Sequence, residues 1–359
     1  MTKAEKRCRE CGAPSFIART LVWNSDGTIT QRKDPQHRLI LFESDNLDRL
    51  WARLSEYLGV TPEHIQETVI ESKSRATRAF LGRTLPWYAN LLARFIGYRI
   101  MISQIETQGL AMGYGKITVG GQFPERGRPE RITVLVEDPY SLPLFCGDFK
   151  GAAEVLERRL AEIAYQALDA RRHQIDVTMS RHRLEEEGPE QAEHARLKAG
   201  DVEYDRCPVC GVPRKLKQFT WDLRTGIIRD TVTGRRMAIF GTSGMLAVFD
   251  EMVHELGYRV LDNIVEIESE NAGTTLSVEE ARSGFEGLRF RAAIRGLGLL
   301  TRLDFDESGM TLVMSNPSIP AYIVGVASGI FELATGRRGL PSWSLADDGD
   351  LLIEIKPMP

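Results

Sequence analysis

Apolar residues recur along this chain at two spacings, and each spacing occurs in both halves. In the first half, intervals of three and four residues separate Leu47, Leu50, Trp51, Leu54 and Leu58. In the second half, the same intervals separate Leu246, Phe249, Val253 and Leu256. This spacing places side chains on one face of a helix, so it predicts two amphipathic helices, the second ending at Gly257 as its C-cap.

Runs of β-forming residues predict strands around these helices. Residues 131–136 and 310–314 are strand-like and are followed by Asp138-Pro139 and Asn316-Pro317, where proline cannot continue a hydrogen-bonded ladder. Earlier in each half, residues 16–23 and 216–221 predict the first strand of a hairpin. Turns ending at Gly27 and Gly226 would lead into the second strand, because Asn, Asp and Gly accept positive φ.

The two halves also share motifs at constant spacing. Cys8-Arg9-Glu10-Cys11-Gly12 is matched by Cys207-Pro208-Val209-Cys210-Gly211. Farther along, Gly147 and Gly151 are matched by Gly325 and Gly329, four residues apart on predicted helices, where another backbone or a ligand can approach closely. Such long-range similarity predicts an internally duplicated α+β protein, in which each copy is a zinc-knuckle hairpin followed by helices packed on an antiparallel sheet.

The repeats suggest the domain boundaries. We predict a first repeat at 1–182, a polar and mostly acidic linker at 183–206, and a second repeat at 207–359. The first repeat carries extra residues, which we place within 60–90 as an additional helical segment. A chain of 359 residues is long enough for two domains.

Composition narrows the class of function. The formal net charge of −4 gives no electrostatic argument for binding nucleic acid or an anionic membrane. No apolar run approaches the ~20 residues of a membrane span, and the first residues have no signal-peptide core. We therefore expect a cytoplasmic protein with reduced thiols, in which paired cysteines favour metal over disulfide.

The four paired cysteines are the strongest candidate for chemistry. Two Cys-x-x-Cys-Gly turns together supply the four thiolates of a tetrahedral site, so we predict that Cys8, Cys11, Cys207 and Cys210 bind one zinc ion. Iron suits the same ligands and is the less favoured metal, and free thiols or a redox pair are the alternative. A closed four-thiolate site has no open position, so its predicted role is to hold the two halves together.

The second half resembles the 4-vinyl reductase domain family, the ligand-binding domains of the NO-signalling and Golgi-transport type. The likeness rests on the strand 311–315, Asn316-Pro317, the helix start at Gly325 and Gly329, and the closing strand 351–355. It covers 245–359 and, more weakly, 46–182. Family members carry a cysteine that is present here as Cys146 and replaced by Val324 in the second half. The resemblance implies an apolar pocket for a small hydrophobic molecule, built from the helices that follow Asp138-Pro139 and Asn316-Pro317.

Other candidate residues favour ordinary structural roles. Cys146 lies in an apolar stretch and is expected to be a buried, inert thiol, with a ligand-facing thiol as the alternative. None of the six histidines has the spacing of a metal motif, and no phosphate loop or nucleophile elbow is present. Several aromatic and Met residues are expected to be core and can alternatively line pockets: Trp87, Tyr88, Phe95, Phe285, Phe290, Met314, Tyr322 and Phe331.

These patterns lead to one expectation of function and two alternatives. We expect a zinc-containing protein that binds a small hydrophobic ligand as a sensor, carrier or accessory subunit, without catalytic residues, nucleic acid or a membrane span. A protein partner and a homodimer remain open. The first alternative is an enzyme, or a subunit of one, acting on an aromatic or tetrapyrrole substrate. The second is a zinc-containing transcription regulator.

Overall fold

The computed structural model of the protein describes residues 6–84, 99–120, 130–184, 197–306 and 308–358. These residues form helices and three antiparallel sheets, so the α+β class is confirmed. The helices are α1 (Ser15–Thr20), α2 (Asp45–Leu58), α3 (Pro62–Thr84), α4 (Arg99–Met112), α5 (Leu142–Glu157), α6 (Thr242–Leu256), α7 (Arg259–Thr275), α8 (Val278–Ala281), α9 (Gly284–Ile294) and α10 (Pro320–Thr335). Among the described residues, no helix has both the length and the apolar content needed to cross a bilayer.

The strands of the first half are β1 (Leu21–Trp23), β2 (Ile29–Gln31), β3 (Asp34–Glu43), β4 (Lys116–Gly120), β5 (Arg131–Glu137), β6 (Arg159–Ala167) and β7 (Arg172–Arg183). Those of the second half are β8 (Phe219–Asp222), β9 (Ile227–Asp230), β10 (Arg236–Gly241), β11 (Leu299–Asp306), β12 (Gly309–Ser315), β13 (Gly339–Leu345) and β14 (Leu351–Pro357). Both halves run through a hairpin, a third strand, helices, two strands, a helix and two closing strands. This common order agrees with the duplication expected from the repeated motifs, and the duplication itself stays a prediction.

One sheet contains strands from both halves. Its order is β1-β2-β3-β10-β9-β8, and at its centre β3 pairs antiparallel with β10, with Leu41 opposite Ile239. The other sheets, β4-β5-β7-β6 and β11-β12-β14-β13, each belong to one half. The central sheet therefore joins residues of the predicted first and second repeats through backbone hydrogen bonds, and the repeat boundaries stay a prediction.

The hairpin at the start of each half, β1-β2 or β8-β9, packs against the part of the other half that contains its four-stranded sheet. The indole Nε1 of Trp23 donates to the carbonyl of Ile294 at 2.9 Å, and that of Trp221 donates to the carbonyl of Ala111 at 3.1 Å. Both rings are buried, so both donors need such an acceptor. The packing of the two halves is thus crossed.

Two arginines extend the crossed packing to the turns before the prolines. Arg38 of β3 donates to the carbonyls of Asn316 and Pro317 at 2.5 and 3.1 Å. Arg236 of β10 donates to the carbonyls of Asp138 and Pro139. Asn316 and Asp138 have φ of 52° and 51°, a left-handed conformation that Asn and Asp tolerate better than most residues. The Asx-Pro motifs are therefore turns that each receive an arginine from the other half.

The paired glycines of α5 and α10 are places where another helix approaches. A Cβ added to Gly329 would lie 2.4 Å from the Cβ of Ala272 on α7, and one added to Gly325 would lie 2.7 Å from the carbonyl oxygen of Val265. Gly147 and Gly151 meet α3 in the same way. These glycines therefore let the backbone of a neighbouring helix approach closely, which is the first of the two roles predicted for them.

The structure confirms most predicted elements and corrects the start of each hairpin. Residues 16–23 and 216–221 were expected to be strands, which was wrong for their first parts: α1 and a 3-10 helix (Arg214–Gln218) come first, and the strands begin at Leu21 and Phe219. A hydrogen bond from Ala18 N to Pro14 O closes a helical turn directly after the cysteine motif and overrides the local β-propensity. The predicted turns at Gly27 and Gly226 have φ of 78° and 69°, as expected.

The segments outside these elements are only partly described. Residues 62–84 of the segment expected within 60–90 form α3, which packs on Gly147 and Gly151 as α7 packs on Gly325 and Gly329. The helix α3 is therefore the counterpart of α7 and not an additional element, and residues 85–90 lie outside the described residues. Of the predicted linker, 185–196 also lie outside them, and 197–206 contact the rest of the protein. Val202 N donates to Ser25 O at 2.9 Å, and the Tyr204 ring lies 5.9 Å from that of Phe290. The described end of this segment is therefore partly packed and not fully solvated.

Candidate functional site

Each Cys-x-x-Cys-Gly motif forms the same tight turn. Gly12 N donates to Cys8 O at 2.9 Å, and Gly211 N donates to Cys207 O at 2.8 Å. Gly12 and Gly211 have φ of 75° and 77°, which only glycine adopts without cost. The glycine after each second cysteine is thus required by the bend that turns both thiols toward the same side.

The crossed packing brings the two turns together. Cys8 Sγ lies 3.7 Å from Cys207 Sγ, and Cys11 Sγ lies 3.4 Å from Cys210 Sγ. All four sulfur atoms lie within 4.8 Å of one another. Arg7 donates to the carbonyl of Trp221, and Arg206 donates to that of Trp23 at 2.8 Å, so each motif is also held to the opposite hairpin.

Burial and backbone hydrogen bonds act in opposite directions on these thiols. Burial raises the pKa of Cys11 and of Cys210. Burial also acts to raise the pKa of Cys8, but hydrogen bonds from the backbone of Cys11 and Glu10 outweigh it and lower that pKa to about 7. Backbone N–H groups that favour a thiolate are well suited to a ligand that must be deprotonated to bind metal.

The arrangement fits a tetrahedral metal ion. Four thiolates at a Zn–S distance of about 2.3 Å lie roughly 3.8 Å from one another, close to the two cross-pair distances seen here. Cys11 and Cys207 are buried, and Cys8 and Cys210 are half-buried. These residues would hold the ion with all four positions filled by protein, so the site can join the two halves and offers no position for a substrate.

A second candidate site is an apolar cavity of about 70 Å³ in the second half. It lies between α9, α10 and the strands β11 and β12. Its wall is mostly aliphatic and includes Leu297, Leu300, Met310, Met314, Ile323 and Ala327. Two arginines, Arg291 and Arg295, also line it, and Arg291 is paired with Glu280.

Arg295 belongs to a buried polar group at this cavity. Its Nη2 contacts the Glu43 carboxylate and donates to Tyr322 Oη at 2.9 Å, and Tyr322 Oη donates to Glu43 at 3.2 Å. Its Nε donates to Leu41 O at 3.1 Å. Burial raises the pKa of Tyr322 well above its ordinary value, so the phenol is neutral. Because Leu41 and Glu43 belong to β3, this polar group ties the cavity to the central sheet.

The first half has bulky rings at the matching positions. The matched contacts of Trp23 with Ile294 and Trp221 with Ala111 align Leu297 with Tyr114. The repeated glycines align Ile323 with Phe145 and Ala327 with Phe149. These rings contact one another through Tyr140, with centroids 4.6 Å apart for Tyr114–Tyr140 and 4.9 Å apart for Phe145–Phe149. Aromatic side chains thus stand at positions whose counterparts in the second half line the cavity.

The remaining sequence candidates include a buried thiol, two residues at the cavity and three residues outside the described part of the chain. Cys146 is fully buried, and burial raises its pKa to about 12, as expected for an inert thiol. Among the candidate pocket residues, Met314 lines the cavity and Tyr322 belongs to the polar group beside it. Trp87, Tyr88 and Phe95 lie outside the described residues.

Sequence reasoning missed Arg295 and Glu43. The available signal was a charged residue beside an apolar run in each case: Arg295 after Ala292-Ala293-Ile294, and Glu43 after Leu39-Ile40-Leu41-Phe42. Charged residues are almost never fully buried unless paired, so two opposite charges in such settings can be a buried pair. Because Arg295 and Glu43 lie far apart in the chain, the sequence alone does not show that they pair.

Comparisons with known proteins gave partial structural likenesses. No family model matches the chain, and no curated protein matches it significantly. Among solved structures, the chain is similar to the phenol-responsive sensory domain of the transcription activator PoxR with phenol, at 16% identity and a TM-score of 0.32, over 39% of this chain and 85% of that one. It is also similar to a Cs H-NOX mutant, at 12% identity and a TM-score of 0.25, and to a point mutant of T. tengcongensis H-NOX, at 15% and 0.23. Both H-NOX likenesses cover 33% of this chain and 75% of the other.

Proposed function

We propose that this protein binds a small, mostly apolar molecule in the second-half cavity and contains one zinc ion held by Cys8, Cys11, Cys207 and Cys210. The cavity is the observation that carries the proposal. Binding sites for small molecules are concave and mostly apolar, with a few polar groups that orient the ligand, and this cavity has that composition. The protein would act as a sensor, carrier or accessory subunit.

The size of the cavity sets the scale of the ligand. Its volume of about 70 Å³ is smaller than the ~150 Å³ of an engineered cavity that admits benzene. Met310 and Met314 form part of the wall, and methionine side chains repack readily around different shapes. A ligand of a few carbon atoms fits with modest movement of these two side chains.

The two halves would then have different roles in ligand binding. In this proposal the chain is a pair of diverged 4-vinyl reductase-like repeats, of which the second keeps the ligand cavity. Tyr114, Phe145 and Phe149 support this difference, because they stand at the matching positions in the first half. The zinc site would fix the hairpins to each other and so hold β3 against the cavity through Glu43.

Ligand binding can be tested with cyclopentane on protein carrying ¹³C-methyl methionine. We expect saturable shifts of the Met310 and Met314 methyl signals, assigned by single Met→Leu variants. Ala327→Leu should fill the cavity and abolish the shifts. Val313 lies on the same strand as the two methionines but on its opposite face, so Val313→Leu should keep the shifts. Methyl signals that do not respond to cyclopentane would refute the cavity as a ligand site.

The metal can be tested independently by native mass spectrometry. We expect one zinc per chain in the purified protein and none in Cys210→Ser. Cys146→Ser, which removes the thiol outside the cluster, should retain the metal. A chain that holds no metal when purified without chelator, and takes up none when zinc is supplied, would refute this part of the proposal.

A further inference from the structure

Arg295 brings a charged hydrogen-bond donor to the wall of an otherwise aliphatic cavity. Its side chain is 7% exposed, and the residue lines the cavity. Nε and Nη2 are occupied by Leu41 O, Glu43 and Tyr322. Among the hydrogen bonds of the described residues, none uses Nη1. Because Nε and Nη2 face β3 and Tyr322, Nη1 is the nitrogen left for a molecule in the cavity.

The charges around the cavity are already balanced. Glu43 neutralises Arg295, and Glu280 neutralises Arg291. An anionic ligand would lose its hydration without meeting an uncompensated positive charge, and a cationic ligand would lack an uncompensated carboxylate. A neutral molecule with a hydrogen-bond acceptor meets neither cost.

At the described positions that match this polar group, no ion pair is present. The matched contacts place Met112 at the position of Arg295 and Leu144 at that of Tyr322. The matched arginines Arg38 and Arg236 align Glu43 with Gly241. The first half thus builds the same junction without an ion pair. Apolar side chains can replace a buried ion pair without loss of stability, so the architecture does not require this one. Its position beside the open cavity points to a role in recognition.

We propose that Arg295 is the polar anchor of the cavity, and that the ligand is a small uncharged molecule with a hydrocarbon body and one oxygen acceptor, such as a ketone or an ether, bonded to Nη1. This inference rests on the proposed function, because it concerns the ligand of the same cavity. In this proposal Arg295 determines which chemical class of ligand binds, and the aliphatic wall determines the size and shape of the ligand.

Three probes with the same five-membered ring distinguish a purely apolar cavity from one with a hydrogen-bond donor or a surplus positive charge. They are cyclopentane, cyclopentanone and cyclopentanecarboxylate. Each is titrated into the full chain, and the Met310 and Met314 methyl signals report occupancy. A purely apolar cavity prefers cyclopentane to cyclopentanone by more than about tenfold, since an unbonded carbonyl is costly to bury. We expect cyclopentanone to bind at least as tightly as cyclopentane, and the carboxylate to bind at least about tenfold more weakly than the ketone.

Two variants test the residue itself. Arg295→Lys keeps a positive charge for Glu43 but lacks Nη1, and Arg295→Met combined with Glu43→Gln removes both charges together. In either variant we expect cyclopentanone affinity to fall about tenfold, with cyclopentane affinity changed less than about twofold. If neither variant folds, the preference of the unchanged protein between ketone and hydrocarbon decides the question.

The outcomes distinguish the two proposals. If no probe shifts the methionine methyl signals, the proposed function fails, and this inference fails with it. If cyclopentane binds and the ketone binds more than about tenfold more weakly, the cavity remains a ligand site and Arg295 is not its anchor. Tightest binding of the carboxylate would also overturn the inference, because it would show a surplus positive charge.

Discussion

At the scale of single residues, one buried carboxyl group is expected to make the stability of the molecule depend on pH. Glu268 of α7 is 1% exposed. Burial raises its pKa to about 8, with the Asn271 side chain opposing the shift. The carboxyl group is therefore mostly protonated at neutral pH, although the same residue in the unfolded chain ionises near pH 4.5. Between these two values the folded protein holds a proton that the unfolded chain has released.

This difference predicts that the stability contributed at Glu268 falls as pH rises from 4.5 to 8, because the unfolded state there binds fewer protons. Glu268→Gln, which keeps the size of the side chain and stays neutral, should remove this decline. The expected difference between protein and variant across the interval is on the order of 4 kcal/mol, measured by urea unfolding at pH 5 and pH 8.

Glu354→Gln, a change at an exposed position of β14, is the matched control and should leave the pH dependence as it is. Identical pH dependence in the protein and in Glu268→Gln would mean that the Glu268 carboxyl group ionises normally.

Residue chemistry was partly readable from the sequence. The four metal-ligand candidates are recognisable because Cys-x-x-Cys-Gly is a local motif whose geometry depends on a few adjacent residues. The pairing of Arg295 with Glu43 was not readable, because a charge beside an apolar run has many possible partners along the chain.

At the scale of elements, the paired glycines on one face of α5 and of α10 determine how closely these helices pack against α3 and α7. At Gly329 an added methyl group would meet the Cβ of Ala272 and the carbonyl oxygen of Ser269, at 2.4 and 2.7 Å. A backbone carbonyl cannot move aside as the end of a flexible side chain can. The short distance between α10 and α7 therefore depends on the absence of a side chain at Gly329.

Gly329→Ala is predicted to lower the free energy of unfolding by about 1–3 kcal/mol, because overpacking exceeds the gain in helix propensity. Gly273→Ala provides the matched control, since Gly273 lies in α7 and nothing lies within 4 Å of its added Cβ. The control should be neutral or stabilising by up to about 1 kcal/mol. Denaturant unfolding of both variants measures the difference, and equal effects would contradict the packing role.

Element boundaries followed the sequence where a long periodic pattern decided them. The helices α2 and α6 and the strands β5, β12 and β14 match their predicted positions, because each alternation or helical stripe faces a buried surface. The prediction was wrong where a short segment follows a fixed turn. At α1 and at Arg214–Gln218, the chain leaving the cysteine motif continues as a helical turn despite its β-forming residues.

At the scale of the whole molecule, the crossed packing makes the two halves interdependent. Each hairpin places its tryptophan on the other half, and Arg38 of β3 and Arg236 of β10 also contact the other half. The strands β3 and β10 pair along the centre of the shared sheet. The cysteine cluster lies where the two hairpins meet. A metal ion there would connect Cys8 and Cys207, which are 199 positions apart in the chain, and would limit separation of the halves.

Removal of the metal is therefore expected to destabilise the molecule and to loosen the hairpins first. Chelation should lower the free energy of unfolding by about 3 kcal/mol or more and be reversed by added zinc. Hydrogen exchange should accelerate in β1, β2, β8 and β9, with little change in the sheets β4-β5-β7-β6 and β11-β12-β14-β13. Unchanged stability and exchange after confirmed metal loss would show that metal bound at the cysteine cluster contributes little to stability.

The sequence by itself determined the repeated order of elements, the α+β class and the identity of the four clustered cysteines, because these follow from local periodicity and short motifs. Only the tertiary structure decided that each hairpin packs on the opposite half, that aromatic rings of one half occupy positions matching the cavity wall of the other, and that Arg295 and Glu43 meet beside that cavity. Local patterns specify which face of an element is apolar. Which apolar face it meets, and which buried charge finds its partner, depends on packing between surfaces far apart in the chain.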